Sequence, residues 1–282
     1  MANLSIFSTE VSLREAIVSK MRPDFSVGFV PTMGALHEGH LALIERAHKE
    51  NEIVVVSIFV NPMQFNNPLD LEKYPRMPET DAEKLEELGF SVFLFAPSVE
   101  EVYPLNDIYE PIDLLGLDKV MEGKHRPGHF QGVVHVVRNL FQIVAPNNAY
   151  FGQKDFQQLA IIRHMTKVLQ FKINIVACDT LRQSNGLAMS SRNFRLNEEQ
   201  KEEALILFKT LEYIKKHKSS FKPNELRSLA IEFFQESSLE LEYLEIVDAV
   251  NLETLQDNWS EQSVCCIAAF CEDVRLIDNM LI

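Results

Sequence analysis

Val27-Gly-Phe-Val-Pro-Thr-Met-Gly-Ala-Leu-His-Glu-Gly-His40, followed by Ile53-Val-Val-Val-Ser-Ile-Phe-Val60, decides the fold. Val27–Val30 is a short apolar run that ends at a Pro-Thr-Met-Gly-Ala-Leu loop, and Gly39–Glu52 then sets Leu41, Leu43, Ile44 and Ala47 at helical spacing. Ile53–Val60 is β-branched and apolar with almost no polar alternation, as expected of a strand covered on both faces of a parallel sheet. The unit is βαβ. Working outward, Thr80–Leu88 reads as a helix stopped at Gly89, Phe90–Ala96 as a strand ended by Pro97, and Val133–Val144 as a helix. Ala149–Phe151, Phe156–Leu169 and Ile173–Cys178 continue as strand, helix and strand. This alternation predicts an α/β fold with a doubly wound parallel sheet.

The rest of the chain follows another pattern. Arg182–Arg195 is polar, and Asn197-Glu-Glu-Gln200 is an N-cap with a glutamine three residues on, predicting a long helix to about Lys218. Glu225–Gln235 reads as a second helix, and Leu241–Val250 and Val264–Cys271 as strands around a turn-rich Asn251–Ser260. A boundary near Leu181 is expected, giving a first domain over 1–180 and a smaller C-terminal α+β domain over 181–282. Residues 121–132, Gly-rich and basic without apolar periodicity, read as a mobile loop, and Phe65–Arg76 as a lid or structural loop.

The net charge of −14 divides into −7 over 1–180 and −7 over 181–282. Both halves should repel polyanions, which argues against nucleic acid as a partner but leaves room for a small anion in a locally basic cleft. The longest apolar runs have strand length, well under the roughly 20 residues of a membrane span, so no membrane partner is expected. Met1–Glu10 lacks the basic start and apolar stretch of a secretory signal, and a cytoplasmic location is expected. Cys178, Cys265, Cys266 and Cys271 show no C-x-x-C spacing and read as buried reduced thiols.

Several polar stretches fall at the carboxyl ends of strands, where open α/β sheets place ligands. In Met33-Gly-Ala-Leu-His-Glu-Gly-His40, backbone N–H groups at a helix start favour phosphate, and Gly34 and Gly39 allow close approach. His37 and His40 can share one face as donors to phosphate oxygens; capping of the helix or metal ligation are the alternatives. The spacing is H-E-G-H and not the H-E-x-x-H of zinc proteases. Ser190, Ser191 and Arg192 suit a polyphosphate, and Lys154 could neutralise one while Asp155 holds a ribose hydroxyl or orients the lysine. Gln64 in Phe59-Val-Asn-Pro-Met-Gln-Phe65 and Gln158 in Phe156-Gln-Gln158 offer amides to a small polar substrate, and Arg126 in the basic loop could close over an anion.

Taken together and in order, Pro31–His40, Phe59–Phe65, Tyr74-Pro-Arg76, Arg126-Pro-Gly-His-Phe-Gln-Gly-Val133, Phe151-Gly-Gln-Lys-Asp-Phe-Gln-Gln158 and Ser190-Ser-Arg-Asn193 resemble the pantothenate synthetases (pantoate–β-alanine ligases), within the adenylate-forming nucleotidyltransferases that carry a His-x-Gly-His signature. The resemblance implies a Rossmann-like nucleotide domain, a C-terminal lid, ATP and Mg²⁺, pantoate and β-alanine as small-molecule substrates, and a homodimer. It assigns ATP to Met33, Gly34, Ala35, Leu36, His37, Glu38, Gly39, His40, Gly152, Gln153, Lys154, Asp155, Leu181, Met189, Ser190, Ser191 and Arg192, with His40 as proton donor. It assigns pantoate to Gln64 and Gln158, with Gln64 also beside β-alanine; Asn61 and Arg126 complete the expected substrate site, and no residue is expected to form a metal site of its own. His40, His37, Lys154 and Arg192 are the expected catalytic groups, supplying charge stabilisation at phosphate and no covalent nucleophile. A released adenylylated product, a small relative of class I aminoacyl-tRNA synthetases, and a nucleotide sensor without turnover are the competing readings.

Overall fold

The computed structural model describes residues 4–23, 25–65, 68–105 and 107–282. The first unit holds β1 (Leu4–Phe7), α1 (Glu10–Lys20), β2 (Val27–Thr32), α2 (Glu38–Glu50) and β3 (Ile53–Ile58). It continues through α3 (Pro68–Lys73), α4 (Pro78–Glu86), β4 (Val92–Phe95), α5 (Val99–Val102), α6 (Met121–His125), α7 (His129–Val144), β5 (Asn148–Gly152), α8 (Phe156–Val168) and β6 (Asn174–Cys178). Its six strands form one parallel sheet in the order β1-β4-β3-β2-β5-β6. From β2 the chain winds outward to β3 and β4, then returns to the other side of β2 for β5 and β6. The winding therefore reverses between β2 and β5, and the crevice beyond their carboxyl ends is the expected ligand position.

Alternation along the strands builds two apolar layers. Phe29, Val55, Phe93, Phe95 and Phe151 pack with Leu13 and Ile17 of α1, the apolar face of α7, and Leu159 and Ile162 of α8. On the other face Val30, Val54, Val56, Leu94 and Tyr150 meet Ile44 and Ala47 of α2 and Leu85 of α4. β3 is buried along nearly its whole length, which explains its lack of polar alternation.

Beyond β6, α9 (Glu198–His217) and α10 (Pro223–Phe234) cover one face of an antiparallel sheet of β7 (Glu240–Asp248), β8 (Ser263–Cys271) and β9 (Val274–Leu281). Asn197 and Gln200 bond each other's backbone N–H reciprocally at 2.9 and 2.8 Å, starting α9 where the cap motif puts it. Ile246, Cys265 and Ile267 face α9 and α10, whereas Val247, Val264 and Cys266 join the core of the first unit. The small sheet is thus a layer shared by both bodies. All four cysteines are free and buried.

Two loop expectations are corrected. Residues 121–132 contain α6 and the start of α7, so Arg126 stands on a tight helix-to-helix turn and not on an open loop. The glycines that suggested mobility answer local geometry: Gly128 caps α7 with φ 83°, and a Cβ on Gly132 would lie 2.4 Å from the Met63 carbonyl oxygen. Within Phe65–Arg76, Pro68–Lys73 is helical, while Asn66 and Asn67 lie outside the described residues. β1, α1 and β9 carried no reading from sequence. β1 is four residues long, and α1 buries only Leu13 and Ile17, so neither has a strong periodic signal.

Candidate active site

A cleft of about 1240 Å³ opens at the switch point. Met33, His37, Gly39 and His40 line it from β2 and α2, Gly152, Lys154, Asp155 and Gln158 from β5 and α8, and Leu181, Met189, Ser190, Ser191 and Arg192 from the segment after β6. Asn61 and Gln64 form another wall, and Phe59, Val136, Val137 and Leu140 supply an apolar floor. Residues of four stretches far apart in sequence, Met33–His40, Phe59–Gln64, Gly152–Gln158 and Met189–Arg192, thus meet at one cleft.

His37 caps α2: its Nδ1 accepts from the Gly39 N–H at 3.1 Å. Burial, reinforced by Lys154, holds the imidazole down at about 4, so at neutral pH the ring is uncharged and its proton sits on Nε2. Capping and a donor role are thus compatible. The His40 ring lies 4.1 Å from that of His37. Burial first, then His37 and Lys154, hold its imidazole well below the ordinary histidine range, and its buried Nδ1 has no hydrogen-bond partner among the described residues. Buried polar atoms without partners are rare and ask for an explanation; here the atom belongs to a residue of the cleft wall.

Because His37 is neutral in the folded chain yet titrates near 6.5 when unfolded, the unfolded state binds the extra proton between pH 6.5 and 4. Stability is fully present above that window and falls as pH drops through it. His37→Asn keeps a capping side chain and removes the titration. Thermal unfolding followed from pH 7 to pH 5 should therefore weaken less in the variant, by about 1–2 kcal/mol at pH 5; identical slopes would contradict a neutral His37.

Five expected nucleotide contacts are corrected by their surroundings. Gly34, Ala35 and Leu36 are buried behind the cleft, and the N–H groups of Ala35 and Leu36 donate to the Asp81 carboxylate at 2.8 and 2.6 Å. Those donors are spent and cannot also cradle phosphate. Glu38 points to solvent and, like Gln153, does not line the cleft. Arg126 also sits outside: it lines a smaller cavity of about 410 Å³ that shares Lys154, Asp155 and Gln158 with the cleft, and its guanidinium bonds the Gln64 carbonyl at 3.3 Å and His129 Nε2 at 3.1 Å.

Asn61 is likewise occupied. Its Oδ1 accepts from the Tyr103 hydroxyl at 2.8 Å and the Met63 N–H at 3.1 Å, and its Nδ2 donates to Gln64 Oε1 and the Gly132 carbonyl, both at 3.1 Å. Asn61 therefore orients Gln64 and has no bond left for a substrate. With Gln64 Oε1 taken, its Nε2, 3.0 Å from Met33 Sδ, is the polar end presented to the cleft. Asp81 and Tyr103 escaped the sequence reading because each acts on a loop distant in sequence. Lys84, whose Nζ donates to the Leu36 carbonyl at 2.5 Å, also escaped it. The apolar residues around Asp81 and Lys84 signal only a helix.

A parallel sheet with cationic and imidazole donors gathered at its switch point is the architecture of enzymes that handle phosphorylated ligands. A model of the pantoate-beta-alanine ligase family matches residues 5–281. The chain is 50% identical over 262 residues to the pantothenate synthetase of Bacteroides fragilis, covering 90% of each chain. The crystal structure of the pantothenate synthetase from Thermus thermophilus superposes with a TM-score of 0.90 at 41% identity, covering 98% of both chains. The pantoate-beta-alanine ligase of Francisella tularensis, complexed with beta-gamma ATP and beta-alanine, superposes at 0.80 and 35% identity, covering 99% of this chain and 98% of that one. The chain belongs to the pantoate–β-alanine ligase family: it is an enzyme that joins pantoate to β-alanine.

Proposed function

We infer that the cleft binds ATP and that the pantoate carboxylate attacks its α-phosphorus, releasing pyrophosphate and leaving pantoyl adenylate. The amine of β-alanine then adds to the acyl carbon, the acyl–oxygen bond breaks, AMP departs, and the amine loses a proton to give pantothenate. The observation that carries this reading is the Nδ1 of His40, without a partner among the described residues, beside Lys154 and the Ser190–Arg192 segment in a cleft at the switch point. Neutral imidazoles donate to phosphate oxygens without repelling Lys154 before the nucleotide arrives, and a bound triphosphate would favour protonation of His40 as pyrophosphate leaves. Lys154 and Arg192 would stabilise the charge developing on phosphate, and the apolar floor would shield the adenylate from water. The Francisella tularensis relative's complex with beta-gamma ATP and beta-alanine supports this reading.

Among the described residues, no group of three His, Cys, Asp or Glu could hold a metal ion on protein ligands alone. Mg²⁺ needs few protein ligands when phosphate oxygens and water complete its shell, and Asp155 and Asp179 are the carboxylates on the cleft wall that would hold it with the triphosphate. When bound there it would supply neutralisation of phosphate charge. We assign 1–180 as the nucleotide- and pantoate-binding domain and 181–282 as a lid, supported by the change from a parallel sheet to an antiparallel one and by a core of its own under α9 and α10. A homodimer is supported by Leu105, Ile108 and Leu115, large apolar side chains exposed on one segment. A cytoplasmic location accords with four unpaired buried cysteines.

The test is release of AMP and pyrophosphate from ATP, Mg²⁺ and D-pantoate, with and without β-alanine. Pyrophosphate limited to about one equivalent per site without the amine, and sustained AMP with it, is the expected result; ADP and phosphate would overturn it. Tyr103→Phe removes the hydroxyl that fixes Asn61 and so loosens Gln64. Losing one hydrogen bond of about 1 kcal/mol should raise KM for pantoate about fivefold with kcat little changed, measured by initial rates at saturating ATP.

A further inference from the structure

We propose that Asn279, on β9 of the C-terminal sheet, is a positioning residue that sets Lys154 against the nucleotide. Lys154 stands on the short 3-10 turn Gln153–Asp155, between β5 and α8. The side-chain Nδ2 of Asn279 donates to two successive carbonyls of that turn, Gln153 at 3.0 Å and Lys154 at 2.7 Å. One amide nitrogen thereby commits both its hydrogens to the turn that carries the lysine.

Alternation explains why β9 reaches so far. Val274 and Leu276 enter the α9–α10 core, which turns Arg275, Ile277 and Asn279 to the other face. Arg275 on that face pairs with Glu122 of α6 at 2.7 Å, fastening the strand to the first unit at a second point. Asn279 is itself held: Asp278 accepts two bonds from Arg182 at 2.6 and 2.9 Å and one from the Asn279 N–H at 2.8 Å, while Arg182 also donates to the Asn279 carbonyl at 3.1 Å. Asn279 is buried. The amide is therefore a fixed strut, and the point from which the flexible lysine stem departs is set by a strand more than a hundred residues further along the chain. Displacement of a phosphate-contacting group by about 1 Å is enough to cost a large factor in catalysis.

The inference rests on Lys154 contacting ATP, so both are tested together by a double-mutant cycle on the full chain. Asn279→Ala should raise KM for ATP about tenfold while KM for β-alanine stays within about twofold of the parent. In a Lys154→Met background, which keeps the stem and removes the charge, the same change should have no further effect on KM for ATP. Asn279→Ser, retaining one donor, should fall between, and serves in place of the alanine variant if that one does not fold. A KM for ATP unchanged in both Asn279 variants, or an effect that persists undiminished in the Lys154→Met background, would overturn the inference and leave Asn279 as a stitch between sheets. A Lys154→Met enzyme with unaltered ATP kinetics would instead overturn the nucleotide role of Lys154, and the positioning role with it.

Discussion

His40→Ala should lose about 10²–10³-fold in kcat while remaining folded, its unfolding temperature only slightly below that of the parent. The two halves of this expectation have separate origins. His40 Nδ1 is buried without a partner among the described residues, and a buried polar atom left unsatisfied costs about 1–3 kcal/mol; removing the ring removes that cost and offsets part of the packing lost. The activity falls because the nearby backbone donors cannot take its place: the Ala35 and Leu36 N–H groups are committed to Asp81. Single-turnover formation of pyrophosphate from ATP and pantoate, with thermal unfolding on the same preparation, measures both. A variant that is inactive because it is unfolded, or stable with near-normal turnover, would contradict the account.

Asp81→Asn should have the second-largest effect, and here stability and activity should fall together. Asp81 is buried at the first turn of α4 and accepts the N–H groups of both Ala35 and Leu36. Ala35 has φ 48°, a conformation a residue with a Cβ adopts only when its surroundings hold it there. The asparagine oxygen can satisfy one N–H, but its NH₂ then faces the other, donor against donor. Losing one charge-assisted bond and stranding one buried donor should cost about 2–4 kcal/mol of stability. The loop carrying Met33 into the cleft, and with it the start of α2 that carries His37 and His40, should relax, lowering kcat/KM about 10²-fold. Denaturant unfolding and initial-rate kinetics check this; a stable, fully active Asp81→Asn enzyme would show that the loop needs no such anchor.

The parts of the fold that could be read in advance are those whose cause is local. β3 shows its burial on both faces in an unbroken β-branched run, and α9 shows its start in the Asn197–Gln200 cap. β9 offered less, because its residues alternate an apolar face with Arg275 and Asn279, polar groups that reach partners in the first unit. The site divides the same way. His37, His40, Lys154, Gln64, Gln158 and Arg192 announce themselves by residue type at strand ends, and all line the cleft. Asp81, Lys84, Tyr103 and Asn279 act on backbone or side chains distant in sequence, so only the folded chain reveals what they hold. The reading of 121–132 as a mobile loop failed for a related reason. The glycines there permit close packing of α6 and α7 against neighbouring backbone, and glycine looks the same in sequence whether it frees the chain or lets another segment approach.

In the proposed reaction the pantoate carboxylate is joined to the α-phosphorus of ATP. Pantoate labelled with ¹⁸O in its carboxylate tests it directly, because that oxygen bridges carbon and phosphorus in the adenylate and stays with phosphorus when the amine displaces AMP. Mass spectrometry of the AMP from a complete reaction should show one ¹⁸O in its phosphate for each pantothenate formed; label in inorganic phosphate accompanied by ADP, or unlabelled AMP, would contradict the account.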